Sequence, residues 1–484
     1  MKTVKMDKTL RSRTSPRGLR QAGVSALTAA AAASVALLLG GCAWRGPALQ
    51  AAPAAPPAPE RWQAEPSSGT PADWALLADP ELQALLQRAE AANRDLVQAA
   101  LRIEQARTQA GLGELRLTPS AGLSAGANRP LDPPSPLPAR TTRSYGASLG
   151  VGYELDLWGR LAALRTADAA QLRAAQTDLR AARLLLRQRV AESYWQLAAA
   201  RTQGALAQEQ LALNRELLAA TRLRVQEGKL LPIEVDRAAA TLQQAEQRLA
   251  DLQADVAQQR LQLALLLDDT PPGPTLQQPR LPQAPSGTAD GLPPPWRGGE
   301  DPAAVLERRP DVQRARAQVD AALARSQASE AQRYPALSFS ASLGTGGGAV
   351  RDWLSNPVAS LAGNLVVPLI DWRRLDLQRD AARTELELAA LALRETVARA
   401  LVEVESALID GERLRQQLAA NATRLRETQA AERVAALRLE VGAIAKADFL
   451  QAKNARLEAE QGRLQLQLRA WLNRGQLARA LALG

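Results

Sequence analysis

Between Arg160 and Leu231 the chain runs without a proline, and apolar or small residues return at Leu179, Ala182, Leu186, Val190, Ser193 and Leu197, close to heptad spacing. This predicts a helix of about 70 residues, on the order of 100 Å long, where an ordinary globular helix has about a dozen. A globular core cannot bury that length, so the helix must pack along others of its kind. A second proline-free stretch runs from Pro368 to the C-terminus. Ahead of the first long helix, Leu82, Leu85, Leu86 and Ala89 recur at helical spacing, predicting a single helix over 79–107.

Between these helices the period drops to two. Tyr145, Ala147, Leu149, Val151, Tyr153 and Leu155 alternate with Gly146, Ser148, Gly150, Gly152 and Glu154, and Leu337, Phe339, Ala341 and Leu343 alternate with serines. One apolar face and one face of Ser and Gly, over about 10 residues, suits a membrane strand lining a wet lumen. With two short strands in each half, the chain has four, and the smallest barrels need about 8. Lipid tolerates no open sheet edge, so the strands must close with copies of themselves; three copies supply twelve.

The chain also contains itself twice. At an offset of 214, "YELDLWGRL" (153–161) falls on "VPLIDWRRL" (367–375), and Gly228, Ala238 and Glu246 fall on Gly442, Ala452 and Glu460. Upstream, at an offset of 216, Asp95, Ile103 and Pro119 fall on Asp311, Val319 and Pro335. Each half reads helix, two strands, very long helix, turn, helix. The predicted organisation is a leader (1–41), a Pro-rich spacer (42–75), a first repeat (76–267), a Pro-rich linker (268–300), a second repeat (301–475) and a tail (476–484). Either Pro-rich stretch could wrap the helices as a belt.

Cys42 is the chain's one cysteine, and it follows seven basic residues opposed by Asp7 and then an apolar run from Ala22 to Gly41. A basic region, an apolar region and small residues before a break form an export signal. Leu39-Gly40-Gly41-Cys42 resembles a bacterial lipobox, so Cys42 is expected to begin the mature chain and carry lipid. The leader accounts for +6 of the formal charge of +10, leaving +4. That balance, spread among acids along helices, gives no reason to expect nucleic-acid binding. With no histidine and no second cysteine, Ser-His-Asp and Cys-His nucleophiles and His/Cys metal sites are absent. Asp268-Asp269 reads as a helix-end acid pair, so no enzyme site, metal or cofactor beyond the lipid is expected. "LGTGGGAVR" (343–351) matches a dinucleotide fingerprint in form only, lacking the following helix and the acid; a flexible loop is expected there.

The lipobox, the duplicated halves, "YELDLWGR", "ERRPDV" and "RYPALSFSASLG" together resemble the TolC-type outer-membrane efflux proteins, in their OprM/NodT lipoprotein branch. The resemblance covers 76–475. It implies a mainly α fold with a small β part: a TolC-like trimeric α-helical barrel forming a periplasmic tunnel, joined to a 12-stranded outer-membrane β-barrel with four strands per protomer. It implies a homotrimeric channel of a tripartite efflux system, exporting small molecules such as drugs and toxic compounds. It further implies a periplasmic adaptor and an inner-membrane pump, often of the RND type, as partners. Ala43 rather than Asp after the lipidated cysteine is compatible with the outer membrane. A lipid-anchored periplasmic adaptor also combines an anchor with an α-hairpin, but has one hairpin between split β-domains rather than two equivalent halves.

The resemblance also points to a gate at the periplasmic end. Gly228 and Gly442 end the long helices, where a positive φ reverses the chain. Counting from Gly442, Asp448 takes the first acidic position of the family's constriction. Gln451 takes the second, where some relatives have Asp, and Glu234 is the first-half counterpart of Asp448. Three Asp448 carboxylates would ring a narrow point. The plainer reading of Asp448 is an acid that suits a helix N-terminus.

Overall fold

The computed structural model describes residues 58–63, 80–115, 117–129, 141–269, 301–349, 351 and 356–483. The leader, Cys42, most of the 42–75 spacer and the linker from 270 to 300 lie outside them. The first repeat comprises α1 (Pro80–Ala92), α2 (Arg94–Glu114), β1 (Leu117–Asn128), β2 (Thr142–Leu155), α3 (Arg160–Gln226) and α4 (Ile233–Leu266). The second comprises α5 (Pro302–Arg308), α6 (Pro310–Ala331), β3 (Ala336–Gly347), β4 (Pro357–Val366), α7 (Trp372–Glu440) and α8 (Lys446–Ala480). The long helices α3 and α7 have 67 and 69 residues. Helix α3 packs along α2, α4, α6 and α8, and α7 along α6 and α8. Length without a globular core is therefore resolved by side-by-side helix contact. Among the described residues no helix is long and apolar enough to cross a membrane.

Three expectations are corrected. The single helix over 79–107 is two helices divided at Asn93. The Asn93 carboxamide oxygen accepts from the N–H groups of Asp95 (3.0 Å) and Leu96 (3.3 Å) and starts a new helix. The second repeat divides in the same place, at Arg309, because Pro310 has no N–H to continue the first helix. The glycines of "LGTGG" are not a loop: β3 runs through Gly347, with Gly344 opposite Ser148 and Gly346 opposite Gly146. The tail from 476 is helical as far as Ala480, and Leu477, Ala478, Ala480 and Leu481 are buried, so apolar packing extends the last helix.

The four strands form one antiparallel sheet in the order β1-β2-β3-β4. Its register puts Ala121, Leu149, Leu343 and Ala359 in one row and Pro119, Val151, Ala341 and Leu361 in the next, so one face is apolar over most of its length, with Arg143 and Thr345 towards one end. The other face of β1 and β2 is a ladder in which every rung but the last opposes one glycine to one hydroxyl: Thr118 with Gly152, Ser120 with Gly150, Gly122 with Ser148, Ser124 with Gly146, and Gly126 with Ser144. A Cβ on Gly152 would lie 2.7 Å from Thr118 Oγ1, and one on Gly150 2.9 Å from Ser120 Oγ. Glycine there lets the hydroxyl fold down onto the opposite strand, where Thr118 Oγ1 donates to the Gly152 carbonyl (3.2 Å). A one-residue slip would destroy both faces at once.

The main core lies where α1, α3, α4 and α8 meet, around Trp195, Trp471, Tyr194, Leu82, Leu186 and Val190. Trp195 and Trp471 pack at a ring separation of 5.7 Å. The heptad stripe of α3 points into this core: Leu186, Val190, Ser193 and Leu197 are buried, with Leu179 and Ala182 packed beside them. Within the Pro-rich spacer, Trp62 is buried against Val404, Ala407 and Leu408 of α7, and the Gln63 N–H donates to Glu405 (2.6 Å).

Candidate functional site

Three regions position chemistry: the helix hairpin tips, the helix ends where each repeat closes on itself, and the junction of sheet and helices. At the tips, Gly228 and Gly442 have φ of 70° and 73°. Each closes its helix with a paired bond: Gly228 N–H to Val225 O and Lys229 N–H to Arg224 O (3.0 and 2.8 Å), Gly442 N–H to Leu439 O and Ala443 N–H to Arg438 O (3.0 and 2.8 Å). The last carbonyls are satisfied and the chain reverses within two residues.

Asp448 lies in the first turn of α8, exposed, and its carboxylate accepts from the Ala445 N–H (3.2 Å). Alanine has no hydroxyl to return the bond, so the Ala445 carbonyl accepts from the Asp448 N–H instead (3.0 Å). Gln451 is exposed one turn further on. Glu234 occupies the first turn of α4 and is ion-paired to Arg237 (2.8 Å). Among the described residues no hydrogen bond or ion pair joins Glu234 to Asp448. One protomer therefore keeps the candidate gate residues on two separate tips, each in a helix-start position.

Sequence reading missed the group that ties the two repeats together near these tips. Arg456 of α8 reaches Glu209 of α3 (3.1 Å), Glu432 of α7 (2.6 Å) and Glu460 of its own helix (2.7 Å). Burial alone would lower the Arg456 pKa, but these three carboxylates outweigh it and raise it. Lys453 also reaches Glu209 (3.3 Å), Gln210 donates to Asn454 (3.0 Å), and Lys446 pairs with Glu216 (3.1 Å). The partners of Glu209 lie some 245 positions away, and no local spacing signals them.

"ERRPDV" is explained by the second region. Arg308 Nη2 donates to the Leu481 carbonyl (2.8 Å) and Arg309 Nη1 to the Ala480 carbonyl (2.7 Å), so the start of the second repeat clasps its end. Arg309, with a side chain only 5% exposed, also pairs with Asp311 (2.8 Å) and Glu403 (2.7 Å), and Glu403 binds Arg479 as well. Burial pushes the Asp311 carboxyl up, but Arg309 and the Val312 N–H hold it below its ordinary value. The first repeat repeats the device in neutral form: Asn93, at the place of Arg309, donates to the Leu266 carbonyl (3.1 Å). Asp268 and Ala482, also 214 apart, end the return helices with positive φ of 54° and 51°. The Asp268-Asp269 pair is part of this closure, bound to Arg94 (2.7 Å) and Arg88 (3.1 Å).

At the junction, "YELDLWGR" and "RYPALSF" meet. Trp158 stacks on Tyr334 at 4.9 Å, its indole N–H donates to the Pro335 carbonyl (2.8 Å), and Arg333 lies 4.8 Å over the Trp372 ring. Glu154 pairs with Arg160 (2.7 Å), while Asp156 accepts from the N–H groups of Leu161 and Ala162 and caps α3. An aromatic and charged collar at the end of an apolar sheet face is the arrangement of a membrane interface.

The family model for outer membrane efflux proteins matches residues 85–268 and 302–483, one segment in each repeat. The chain belongs to the outer membrane efflux protein family. Its relatives include the pyoverdine export outer membrane protein OpmQ of Pseudomonas aeruginosa, 29% identical over 451 residues that cover 90% of this chain and 92% of that one. In structure it resembles the outer-membrane channel OprN, with a TM-score of 0.77 at 24% identity, covering 91% of this chain and 99% of that one. It also resembles the open state of the Neisseria gonorrhoeae outer membrane channel MtrE, at 0.71 and 26% identity, covering 89% and 98%. The fold is that of a TolC-like channel, and the family is one of outer membrane efflux channels.

Proposed function

We propose that this outer membrane efflux protein is the exit duct of a tripartite pump, working as a homotrimer whose sheets close into one twelve-stranded barrel. The observation that carries the reading is the sheet: mostly apolar on one face, hydroxyl and glycine on the other face of β1 and β2, with β1 and β4 each without an outer neighbour among the described residues. Its partners are a periplasmic adaptor and an inner-membrane pump of the RND type, which sets the choice of substrate. The relative named for pyoverdine export supports a small-molecule cargo. The adaptor alternative is disfavoured by two equivalent hairpin halves that share one sheet. In detergent the protein should have the mass of three chains, and in planar bilayers it should conduct; a non-conducting monomer would overturn the reading.

Cys42 is the proposed lipid anchor. Two or more acyl chains give stable attachment where one is marginal. Cells fed a palmitate analogue should label the wild type and not Cys42→Ser; label persisting in the variant refutes the assignment. Asp448 is proposed as the acidic ring, single because its neighbour is Gln451. Asp448→Asn should weaken block by a polyvalent cation added on the periplasmic side. Unchanged block and conductance would leave Asp448 as the helix-start acid that its bond to Ala445 describes.

A further inference from the structure

We infer that two reciprocal asparagine–glycine interlocks fix the register of the second helix hairpin, α7 against α8, and that the first hairpin lacks such a lock. Glycine inside a helix costs stability relative to alanine, so a glycine kept there needs a local reason. Gly411 lies within α7, and a Cβ on it would stand 3.2 Å from Asn473 Oδ1 of α8. Gly462 lies within α8, and a Cβ on it would stand 3.1 Å from Asn421 Nδ2 of α7. Each helix thus offers one hole and one side chain that fills the hole opposite.

The two pairs share one antiparallel register. Gly411 and Asn473 stand 31 residues before and after the turn glycine Gly442, while Asn421 stands 21 before it and Gly462 20 after. About three helical turns separate the pairs along the hairpin. In the pair further from the turn the carboxamide is also pinned. Asn473 Nδ2 donates to the carbonyl of Ala407, one turn before Gly411 (3.0 Å). The pair nearer the turn is seated without such a bond, since Asn421 Oδ1 is buried with no hydrogen-bond partner among the described residues. A slip of one residue would bring Asp410 or Glu412 to Asn473, and Gln461 or Arg463 to Asn421, so both holes would close at once.

The first hairpin, α3 against α4, has no such pair at the equivalent positions. The 214-residue offset places Leu197 with Gln259 there, and Ala207 with Arg248. Gly204 of α3 has no atom within 4 Å of where its Cβ would stand, so it receives nothing. The consequence is mechanical. Helix α8 cannot slide along α7, and its first turn, with Asp448, is held at one height, whereas α4 meets no such stop on α3. The lock lies within a single chain and does not depend on the channel reading above.

A crossed set of full-length variants, melted in detergent and followed by helical circular dichroism, tests the lock. Gly204→Ala should raise the midpoint, as alanine does in a helix that has room for it. Gly411→Ala and Gly462→Ala should lower it by a few degrees. The drop should be larger for Gly411→Ala, because Asn473 cannot move aside without losing its bond to Ala407. Rescue should follow the pairing. Asn473→Ala should recover Gly411→Ala, and Asn421→Ala should recover Gly462→Ala, while the exchanged combinations recover nothing. A general loss of packing is not repaired by a second truncation, so the crossed rescue reads the register itself. If Gly411→Ala and Gly462→Ala melt at or above the wild type, or if rescue ignores the pairing, the register is set elsewhere and the lock is refuted.

Discussion

Arg309→Ala should cost about 1–3 kcal/mol of stability, because it takes the hydrogen bonds of a buried guanidinium from two part-exposed carboxylates and a helix-end carbonyl. Asp311 and Glu403 lose their shared guanidinium, and the Ala480 carbonyl loses its donor at the end of the last helix. Heating in detergent, followed by helical circular dichroism, should show an earlier transition than in the wild type. Arg309→Lys should recover only part of the loss, since an ammonium cannot reproduce the forked contact. Arg413→Ala, which removes an exposed pair with Asp410, should change little. Equal shifts for Arg309→Ala and Arg413→Ala would sink the proposed clasp. The pH dependence follows from the depressed pKa of Asp311. Its contribution is present above the ordinary carboxylate value of 3.8 and is lost as pH falls through the lower folded value. Arg309→Ala should remove that acid-sensitive component.

Leu149→Arg should impair assembly into the membrane by roughly 2–4 kcal/mol, the cost of a cation facing lipid near mid-depth. Leu149 stands in the middle of β2, between Ala121 and Leu343 on the apolar face. Ser148→Arg places the same side chain one residue away on the hydroxyl face, opposite Gly122, and should be tolerated better. Quantifying both variants in outer-membrane fractions tests the faces directly; equal yields would mean that they are wrongly assigned.

What was legible in the chain was whatever repeats with a period. The two-residue alternation placed the sheet faces, the heptad stripe placed Leu186 and Val190 in the core, and the 214-residue offset paired the turn glycines. The helix break at Asn93 was hidden because "AANRDLV" is compatible with continuous helix. Its partner is marked openly by Pro310, and carrying that break back through the offset would have revealed it. The last helix was cut short because its end has no glycine: Ala482 takes the positive φ instead. In "LGTGG" the glycines suggested a loop, but alternation with Leu343 and Thr345 continues there, and β2 alongside supplies the pairing. Arg456 was illegible for a different reason, since its carboxylates come from three helices that only the fold brings together.

The hydroxyl–glycine ladder has a consequence for transport itself. Each hydroxyl is turned down onto the neighbouring strand and each glycine adds no bulk, so nothing on those rungs projects far into the bore. In the proposed barrel a solute would meet a hydrated surface without fixed charges on that ladder, where one cargo would be retarded little more than another. Such a stretch would drain what arrives and sort little, which in the proposed pump leaves selection to whatever loads the duct from below.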